Sequence, residues 1–414
     1  MIMYDESLAI LKKMSVKYPH TQTETIQLNQ SVGRILAEDI VAAENNPPFD
    51  NSAMDGFAVN VAALDSESER SGDWIPVQTL ISAGDSNISV KKVFSAIQIM
   101  TGAPIPDAYF DSVVRVEDVE QKKDGSGNEF IRLKTKPKIG DNIRRKGEDT
   151  KIGDILFTKG MRISNEHLLS LASQGVSLVK VKKAINVGIL STGKEIVPHD
   201  TKELRPGQIR NSTGVYLEAA ISVPYLKVRN YGIIQDDPEL YVQELKKIFD
   251  DDCDILISTG AVSMGVHDFV RPVLENLGAE IHFHKCAIRP GKPVLFASLN
   301  YNGRIRFIFG VPGNPVSTAV GLKFFVKPFL DFLLLGSTEI PIKAILDSDM
   351  KKPEGLKCFF KAKVDFQHPE TRVEALQGQA SFMVSPFIRS NAWVVFPEAG
   401  SIVKKGTKVE VYTL

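Results

Sequence analysis

The sequence predicts a multidomain α/β protein organised around a mainly parallel sheet, and three features of the chain carry that expectation. Apolar runs at 185–190, 226–234, 255–258 and 305–309 alternate with helical patterns opening near Asn211, Asp237, Asp268 and Asn314, the order of a parallel sheet covered by helices. A length of 414 residues with 43% hydrophobic content exceeds what one core uses, so roughly two to four domains follow. From about 76 to 136 the pattern changes to short runs such as Val113-Val-Arg-Val and Phe130-Ile-Arg-Leu, separated by turn clusters like Lys123-Asp-Gly-Ser-Gly-Asn, which describes a small β domain.

The remaining elements follow in chain order. Leu8, Leu11 and Met14 give residues 5–17 a helical stripe, whereas 31–40 fits a helix or an extended run equally. Two prolines and a glycine among polar residues make 45–56 an ordered turn. Ser164 is placed to cap a helix through His167, Leu168, Leu169, Leu171 and Ala172 that stops at Gly175, and 177–181 then reads as a strand. The apolar stretch Phe324 to Leu335 is broken by Lys327, Pro328 and Asp331 and is too short to span a bilayer. Beyond Pro341, Phe359 to Val364 and Trp393 to Phe396 read as further strands.

Charge and cysteine usage narrow the function classes. Fifty basic residues against fifty acidic ones leave no global field for nucleic acid or an anionic membrane, so any anion site is local. Cys253, Cys286 and Cys358 lie far apart and fit neither a disulfide framework nor a close metal-ligand set. Acids at Asp5 and Glu6, with no apolar segment of signal-peptide type after them, predict a cytoplasmic protein.

In a parallel α/β sheet, ligands bind outside the carboxyl ends of the strands. Four loops fall there: Ser191-Thr-Gly-Lys-Glu195, Gln235-Asp236-Asp237, Ser258-Thr-Gly-Ala-Val-Ser263 through Asp268, and Gly310-Val-Pro-Gly-Asn314-Pro-Val-Ser317. Glu195, Asp236 and Asp268 suit Mg²⁺, a hard cation bound through oxygen and water, although each equally suits a solvated acid or cap. Asp237, followed by Pro238 and Glu239, is read as a helix cap. Asn314-Pro315 either caps a helix or offers its free amides to an anion, with Ser317 nearby. Thr259 and Gly260 let backbone approach a ligand closely, as Gly-rich turns of this fold class commonly do. Lys285, Arg289 and Lys292 surround a Pro/Gly turn that either binds an oxyanion or is a solvated charged turn. His282 and His284 share a strand face without further metal ligands and are read as structural or surface residues. Neither a catalytic triad order, a zincin helix, a Walker loop nor a dinucleotide fingerprint is present.

Pro47-Pro-Phe-Asp-Asn-Ser-Ala-Met-Asp55-Gly-Phe-Ala-Val, Ile99-Met-Thr101-Gly-Ala-Pro-Ile-Pro, Asn142-Ile-Arg-Arg-Lys-Gly-Glu-Asp149, Asp236-Asp-Pro, Arg289-Pro-Gly-Lys-Pro and Pro312-Gly-Asn-Pro-Val-Ser, in this order, resemble the molybdopterin molybdenumtransferase or MoeA family, which includes the gephyrin E domain. The resemblance implies an elongated N-terminal domain (1–48 and 138–183), an inserted β domain (49–137), a three-layer α/β domain like that of pterin adenylyltransferases (184–335) and a C-terminal β-barrel-like domain (336–414). It implies insertion of molybdenum from molybdate into adenylylated molybdopterin, with Mg²⁺-dependent release of AMP. Two alternatives are a molybdopterin adenylyltransferase, which would lack the Met54-Asp-Gly and Met100-Thr-Gly segments, and a non-enzymatic scaffold.

Carried across residue by residue, the resemblance places Asp55, Thr101, Glu195, Asp236 and Asp268 around the adenylylated pterin and its Mg²⁺, and Lys285, Arg289, Pro290, Ser317, Lys361 and Ser381 near molybdate or the pterin phosphate. It further implies a homodimer whose sites are shared between subunits, and leaves open a contact with an adenylyltransferase. Four positions depart from the pattern. Ala261 stands where a second glycine is usual, which asks for an ordinary backbone conformation there. Arg289 and Lys361 exchange the cations usual at their places, and Lys194 replaces an acid.

Overall fold

Alternate side chains of Ile185–Thr192, Ile255–Thr259 and Arg304–Val311 point to opposite sides of a sheet, and the chain supplies a helical layer for each. The computed structural model describes residues 1–64, 73–86, 89–261, 269–367 and 370–414. On one face Val187, Ile189 and Ile257 pack with Leu217 and Ile221 and with Val316, Val320 and Phe329. On the other, Leu190, Leu256 and Ile308 meet Tyr241, Leu245 and Ile248 of Pro238–Asp250 and Leu274 of Val270–Asn276. The strand order is Leu226–Ile234, Ile185–Thr192, Ile255–Thr259, Arg304–Val311, Leu295–Tyr301 and Glu280–His284. The first four run parallel, Leu295–Tyr301 runs against them, and Glu280–His284 pairs antiparallel with Leu295–Tyr301 and so returns to the direction of the first four, as expected of a mainly parallel sheet between two helical layers.

Local chemistry sets where the helices begin. Asn211 accepts from the Gly214 amide, and Asp237 accepts from Glu239 and Leu240 with Pro238 in the first turn, so both caps form. Asn314 occupies the cap position before Pro315, but its side chain makes no cap bond. The first amide such a cap could take, that of Val316, already donates to the Ser381 carbonyl at 3.0 Å. The third of these helices opens at Val270, after Asp268. A further helix spans His167–Ser173 with Glu166 in the cap position, two residues beyond Ser164. The apolar stretch after Asn314 is helical throughout, with a π turn at Leu322–Val326 between Pro315–Gly321 and Lys327–Leu335. Among the described residues, no helix is long and apolar enough to cross a membrane.

The C-terminal region closes a five-stranded barrel in the order Lys357–Asp365, Arg372–Ala375, Ile342–Leu346, Lys408–Thr413 and Ala392–Phe396, the last pairing back to the first. Ile288–Arg289 joins this barrel as a short parallel extension of Lys357–Asp365, so the basic turn is tied to the barrel by main-chain bonds. The α/β sheet with its helices and the barrel lie in one compact unit, comprising 1–37, 160–164 and 179–414, whereas the helix His167–Ser173 belongs to the other. The other unit, 38–159 and 165–178, holds a six-stranded sheet ordered Ser112–Arg115, Gly56–Val59, Ala96–Ile99, Ile75–Ile81, Glu129–Leu133 and Val119–Lys123. The ambiguous 31–40 segment is neither a helix nor a continuous strand: Ile35 and Leu36 are buried and form isolated bridges to Arg162 and Val181.

Ile257 is fully buried at the centre of the sheet. Ile257→Ala removes packed methylenes that neighbouring strands cannot replace, and should lower the unfolding free energy of this unit by about 2–5 kcal/mol, read as a lower urea midpoint at unchanged slope.

Candidate functional site

The register of the parallel strands brings three of the expected loops to one level. Ser191 lies opposite Thr259, and Thr259 opposite Val311. Immediately past that row the turns interlock. The Thr192 hydroxyl donates to the Thr259 carbonyl at 3.1 Å, and the Gly260 amide donates to the Val311 carbonyl at 3.1 Å. A Cβ on Gly260 would lie 2.5 Å from the Thr192 carbonyl oxygen, and φ there is +87°, so only glycine fits. Gly313 comes equally close from the fourth loop, since a Cβ there would be 3.7 Å from the Gly260 Cα. The Thr259 hydroxyl is buried and finds no hydrogen-bond partner among the described residues, a vacant donor and acceptor beside these turns.

Ala261 does not take the ordinary conformation its side chain favours. Its φ is +50°, left-handed like the glycine before it, because Gly260 is already pinned between Val311 and Thr192 and the chain must leave the strand end in that direction. The ordinary backbone conformation expected at Ala261 is therefore not the one the chain takes. Ser263 and Asp268 lie outside the described residues.

Glu195 and Asp236 meet across the first two loops. The Lys194 amide donates to Asp236 Oδ2 at 3.2 Å, so Asp236 reaches the turn that carries Glu195. The Glu195 carboxylate folds back over Gly193, where a Cβ would come within 2.9 Å of Oε2. A cavity of about 590 Å³ opens beside them, lined by Gly193, Lys194, His199, Asn211, Asn230 and Gln235 among others. The cavity is lined by the residues next to Glu195 and Asp236, Lys194 and Gln235, and two carboxylates on adjoining turns suit a hard cation that keeps part of its hydration shell. Among the described residues, no three of His, Cys, Asp or Glu gather closely enough to form an all-protein metal cage.

A second group of expected residues collects around the start of helix Pro315–Gly321. Gly291 of the basic turn sits where a Cβ would be 3.5 Å from the Ser317 carbonyl oxygen, so the Arg289-Pro290-Gly291 turn packs on that helix. Pro290 is buried, whereas Arg289 and Lys292 are exposed at the turn's rim. Lys285 anchors the turn from the other end, its amide bonded to Val294 O and its carbonyl accepting from Ile2. The Ser381 carbonyl takes the Val316 amide, which brings the C-terminal barrel to the same place.

Lys361 is wholly buried, and its Nζ donates to the Met383 carbonyl, two residues beyond Ser381, at 2.9 Å. The ring of Phe387 lies 5.5 Å from that amine. Burial alone pushes the amine down to about 8, and no carboxylate contributes. A buried ammonium held by one carbonyl and one ring lacks the counter-charge such groups normally require, and an anion would supply it. His282, in contrast, donates to or accepts from Ser298 Oγ at 2.8 Å and serves the strand pair.

In the other unit, three strings far apart in sequence knit into one surface. Asp55 Oδ1 accepts from both the amide and the hydroxyl of Thr101, at 2.7 and 2.8 Å, and these bonds hold its carboxyl below the usual carboxylate range. Ser52 pairs with Ile143 and accepts from the Gly102 amide, while Asp50 binds the Lys146 amide and the Arg145 guanidinium. Asp50 and Arg145 lie within the motif strings without standing out there by type or spacing, and Gln379, whose side chain bonds only to main chain, lies in no motif.

The comparisons with known proteins agree over nearly the whole chain. Residues 2–175 match the MoeA N-terminal region (domain I and II), 188–331 the probable molybdopterin binding domain, and 343–414 the MoeA C-terminal region (domain IV). A molybdopterin molybdenumtransferase of Synechococcus elongatus is 37% identical over 393 residues, covering 94% of each chain. One of Bacillus subtilis is 35% identical over 399 residues, covering 94% of this chain and 89% of its own. A crystal structure of a molybdopterin biosynthesis MoeA protein from Pyrococcus horikoshii superposes with a TM-score of 0.80 at 26% identity and full coverage of both chains.

Two outcomes follow from this geometry. Gly260→Ala should lower the melting temperature, since the added Cβ must displace main chain, whereas Ala261→Gly should raise stability slightly, left-handed relief of about 1–2 kcal/mol exceeding the gain in unfolded-state freedom of about 0.4–1 kcal/mol. The second concerns Lys361. Its folded value of about 8 lies below the ordinary 10.5, so between those values the folded chain binds fewer protons than the unfolded one and stability rises with pH. Urea unfolding of the wild type and Lys361→Met should show a difference that is flat below pH 8 and moves in favour of the wild type from there to about 10.

Proposed function

The chain belongs to the molybdopterin molybdenumtransferase or MoeA family, a family of transferases in molybdenum cofactor biosynthesis, and from that membership we propose how its two loop clusters divide the reaction. The chain takes molybdenum from molybdate and inserts it into adenylylated molybdopterin with release of AMP. The observation that carries this reading is the Lys361 amine, buried with no carboxylate partner among the described residues and bonded to the Met383 carbonyl, in the turn whose Ser381 carbonyl takes the Val316 amide of the helix that carries Ser317.

Molybdate is a tetrahedral dianion, and Lys361, Arg289 and the Ser317 and Ser381 hydroxyls are the donors that would replace its water. Lys285 and Lys292 add charge at the same turn, and Pro290 fixes its path. The adenylylated pterin lies along the interlocked turns, where Thr259, Gly260 and Asn314 let its phosphates approach main chain. Glu195 and Asp236, with Asp268, would hold Mg²⁺, which supplies neutralisation of the charge growing on the leaving phosphate. Cleavage of the phosphoanhydride needs no side-chain nucleophile: an oxygen of water or molybdate attacks the pterin-side phosphorus, the bond to the AMP phosphate breaks and AMP departs with that electron pair on its oxygen, while the two dithiolene sulfurs bind molybdenum in place of one oxo group, which leaves as water with the two thiol protons. The chain's own part is to align that oxygen and to exclude competing water.

Asp55 and Thr101 belong to the same reading as a substrate-facing surface contributed by a second copy of the chain in a homodimer. An adenylyltransferase delivering the substrate is compatible with this arrangement. Activity per chain should then fall on dilution in step with loss of the dimer mass, and full activity in an isolated monomer would exclude shared sites.

The reaction is tested by combining the purified protein with adenylylated molybdopterin, molybdate and Mg²⁺, and following AMP together with pterin metallation. AMP release coupled to metallation is expected, slowed on the order of 100-fold by Asp236→Asn through loss of charge stabilisation. Consumption of ATP with bare molybdopterin would instead identify an adenylyltransferase, and absence of any turnover would leave a scaffold.

A further inference from the structure

Lys361 sits on a barrel strand whose neighbour on one side runs out. Lys357–Asp365 pairs with Ala392–Phe396 along one edge, Lys361 lying opposite Trp393. Along the other edge Arg372–Ala375 ends with the pair Ala362 and Ala375, and only the Leu376 amide still reaches the Lys361 carbonyl, at 3.0 Å. The chain then turns away through Gly378, whose φ is +83°. The Lys361 amide, buried at that point, would have no ladder partner.

The Gln379 side chain supplies it. Its Oε1 accepts from the Lys361 amide at 2.9 Å, and its Nε2 donates to the Lys361 carbonyl at 2.9 Å and to the Leu376 carbonyl at 2.7 Å. A carboxamide has the donor and acceptor of a peptide group, so it stands in for one strand residue. The same turn then delivers the Ser381 carbonyl to Val316 and the Met383 carbonyl to Lys361 Nζ, both within four residues of Gln379.

Hydrophobic burial fixes only the two flanks of this stretch, at Leu376, which is buried, and at Phe387, which packs on Trp393. Between them Phe382 is 67% exposed, and Met383 and Val384 also face solvent. There the turn is held by polar anchors at Gln379, Ser381 and Met383. Of these, only Gln379 uses a side chain to reach the residue that bears the buried amine.

We propose that Gln379 is a positioning residue for oxyanion capture: its carboxamide locks the 376–384 turn onto Lys361, so that the Lys361 ammonium, Ser381 and Ser317 are presented to one tetrahedral dianion. This rests on the molybdate reading given above. A hydrogen-bonded side chain of this kind contributes about 1 kcal/mol or somewhat more per bond, and misplacement of a single cationic donor is of the same order. The expected cost is therefore roughly tenfold in anion affinity.

Two substitutions in the full-length chain test it. Gln379→Ala removes all three bonds. Gln379→Glu keeps the shape and the acceptor for the Lys361 amide, but sets a carboxylate oxygen against the Lys361 and Leu376 carbonyls, so it isolates the donor bonds without opening a cavity. For both, KM for molybdate should rise roughly tenfold while kcat at saturating molybdate and KM for the adenylylated pterin stay within about twofold. Equilibrium dialysis with labelled molybdate alone should show the same loss of affinity. A lower melting temperature with unchanged molybdate KM, or kcat and both KM values changing together, would reduce Gln379 to a structural role and overturn the proposal. Molybdate binding by the wild type with equal binding by both variants removes the role of Gln379 only. No molybdate binding by the wild type removes the underlying reading with it.

Discussion

One row of main-chain atoms governs where this protein can hold a ligand. Ser191, Thr259 and Val311 stand side by side in parallel register, and the chain must leave all three strands within a few residues of that row. Three turns cannot occupy the same level unless at least one carries no side chain. Gly260 is that residue, wedged between the Thr192 carbonyl and Val311 and close to Gly313. Everything beyond the row inherits its position from this contact: the left-handed exit at Ala261, the turn to Glu195, and the loop leading into the helix at Pro315.

The same constraint explains why the helix at Pro315 is capped from outside. A helix that starts so close to a crowded strand end has little room for its own cap, and Asn314 points to solvent. The missing acceptor arrives from the barrel as the Ser381 carbonyl. That bond joins the α/β region to the barrel at one point, and the short strand Ile288–Arg289 joins them at another. Between these two seams lies the basic turn, so its cations are positioned by main-chain bonds at both ends rather than by their own flexible stems. A charged turn held in this way loses little conformational freedom when an anion arrives.

How much of this was legible in the sequence depended on the range of the signal. Strands that alternate with helices, and caps such as Asn211 and Asp237, are written within a few neighbouring residues, and both were readable. The sequence leaves the role of Asn314 open because the group that takes the Val316 amide in its place, the Ser381 carbonyl, lies 65 residues further along the chain. Ala261 was misread for a related reason: propensity assigns alanine an ordinary conformation, and the tertiary contact at Gly260 overrides it. Gln379 carried no signal, since a glutamine that replaces a strand residue has the same composition as one in water. The motif strings around Asp55 and Thr101 were recognised as strings, but only the fold shows that they form one surface.

The two cations Arg289 and Lys361 differ in placement. Arg289 is exposed at the rim and Lys361 is buried behind the turn. An arginine cannot give up its proton under ordinary conditions, so a permanent charge at the rim attracts a dianion at any pH the protein meets. A buried lysine can lose its proton, and burial has already moved this one to about 8. An anion entering beside Lys361 restores the proton's favourable surroundings and draws the amine back to its charged form, so anion and proton bind together. In the proposed reading the outer position recruits the dianion and the inner position responds to it. Under the proposed function, that makes retention of the dianion, more than its attraction, the step that weakens as the solution becomes alkaline.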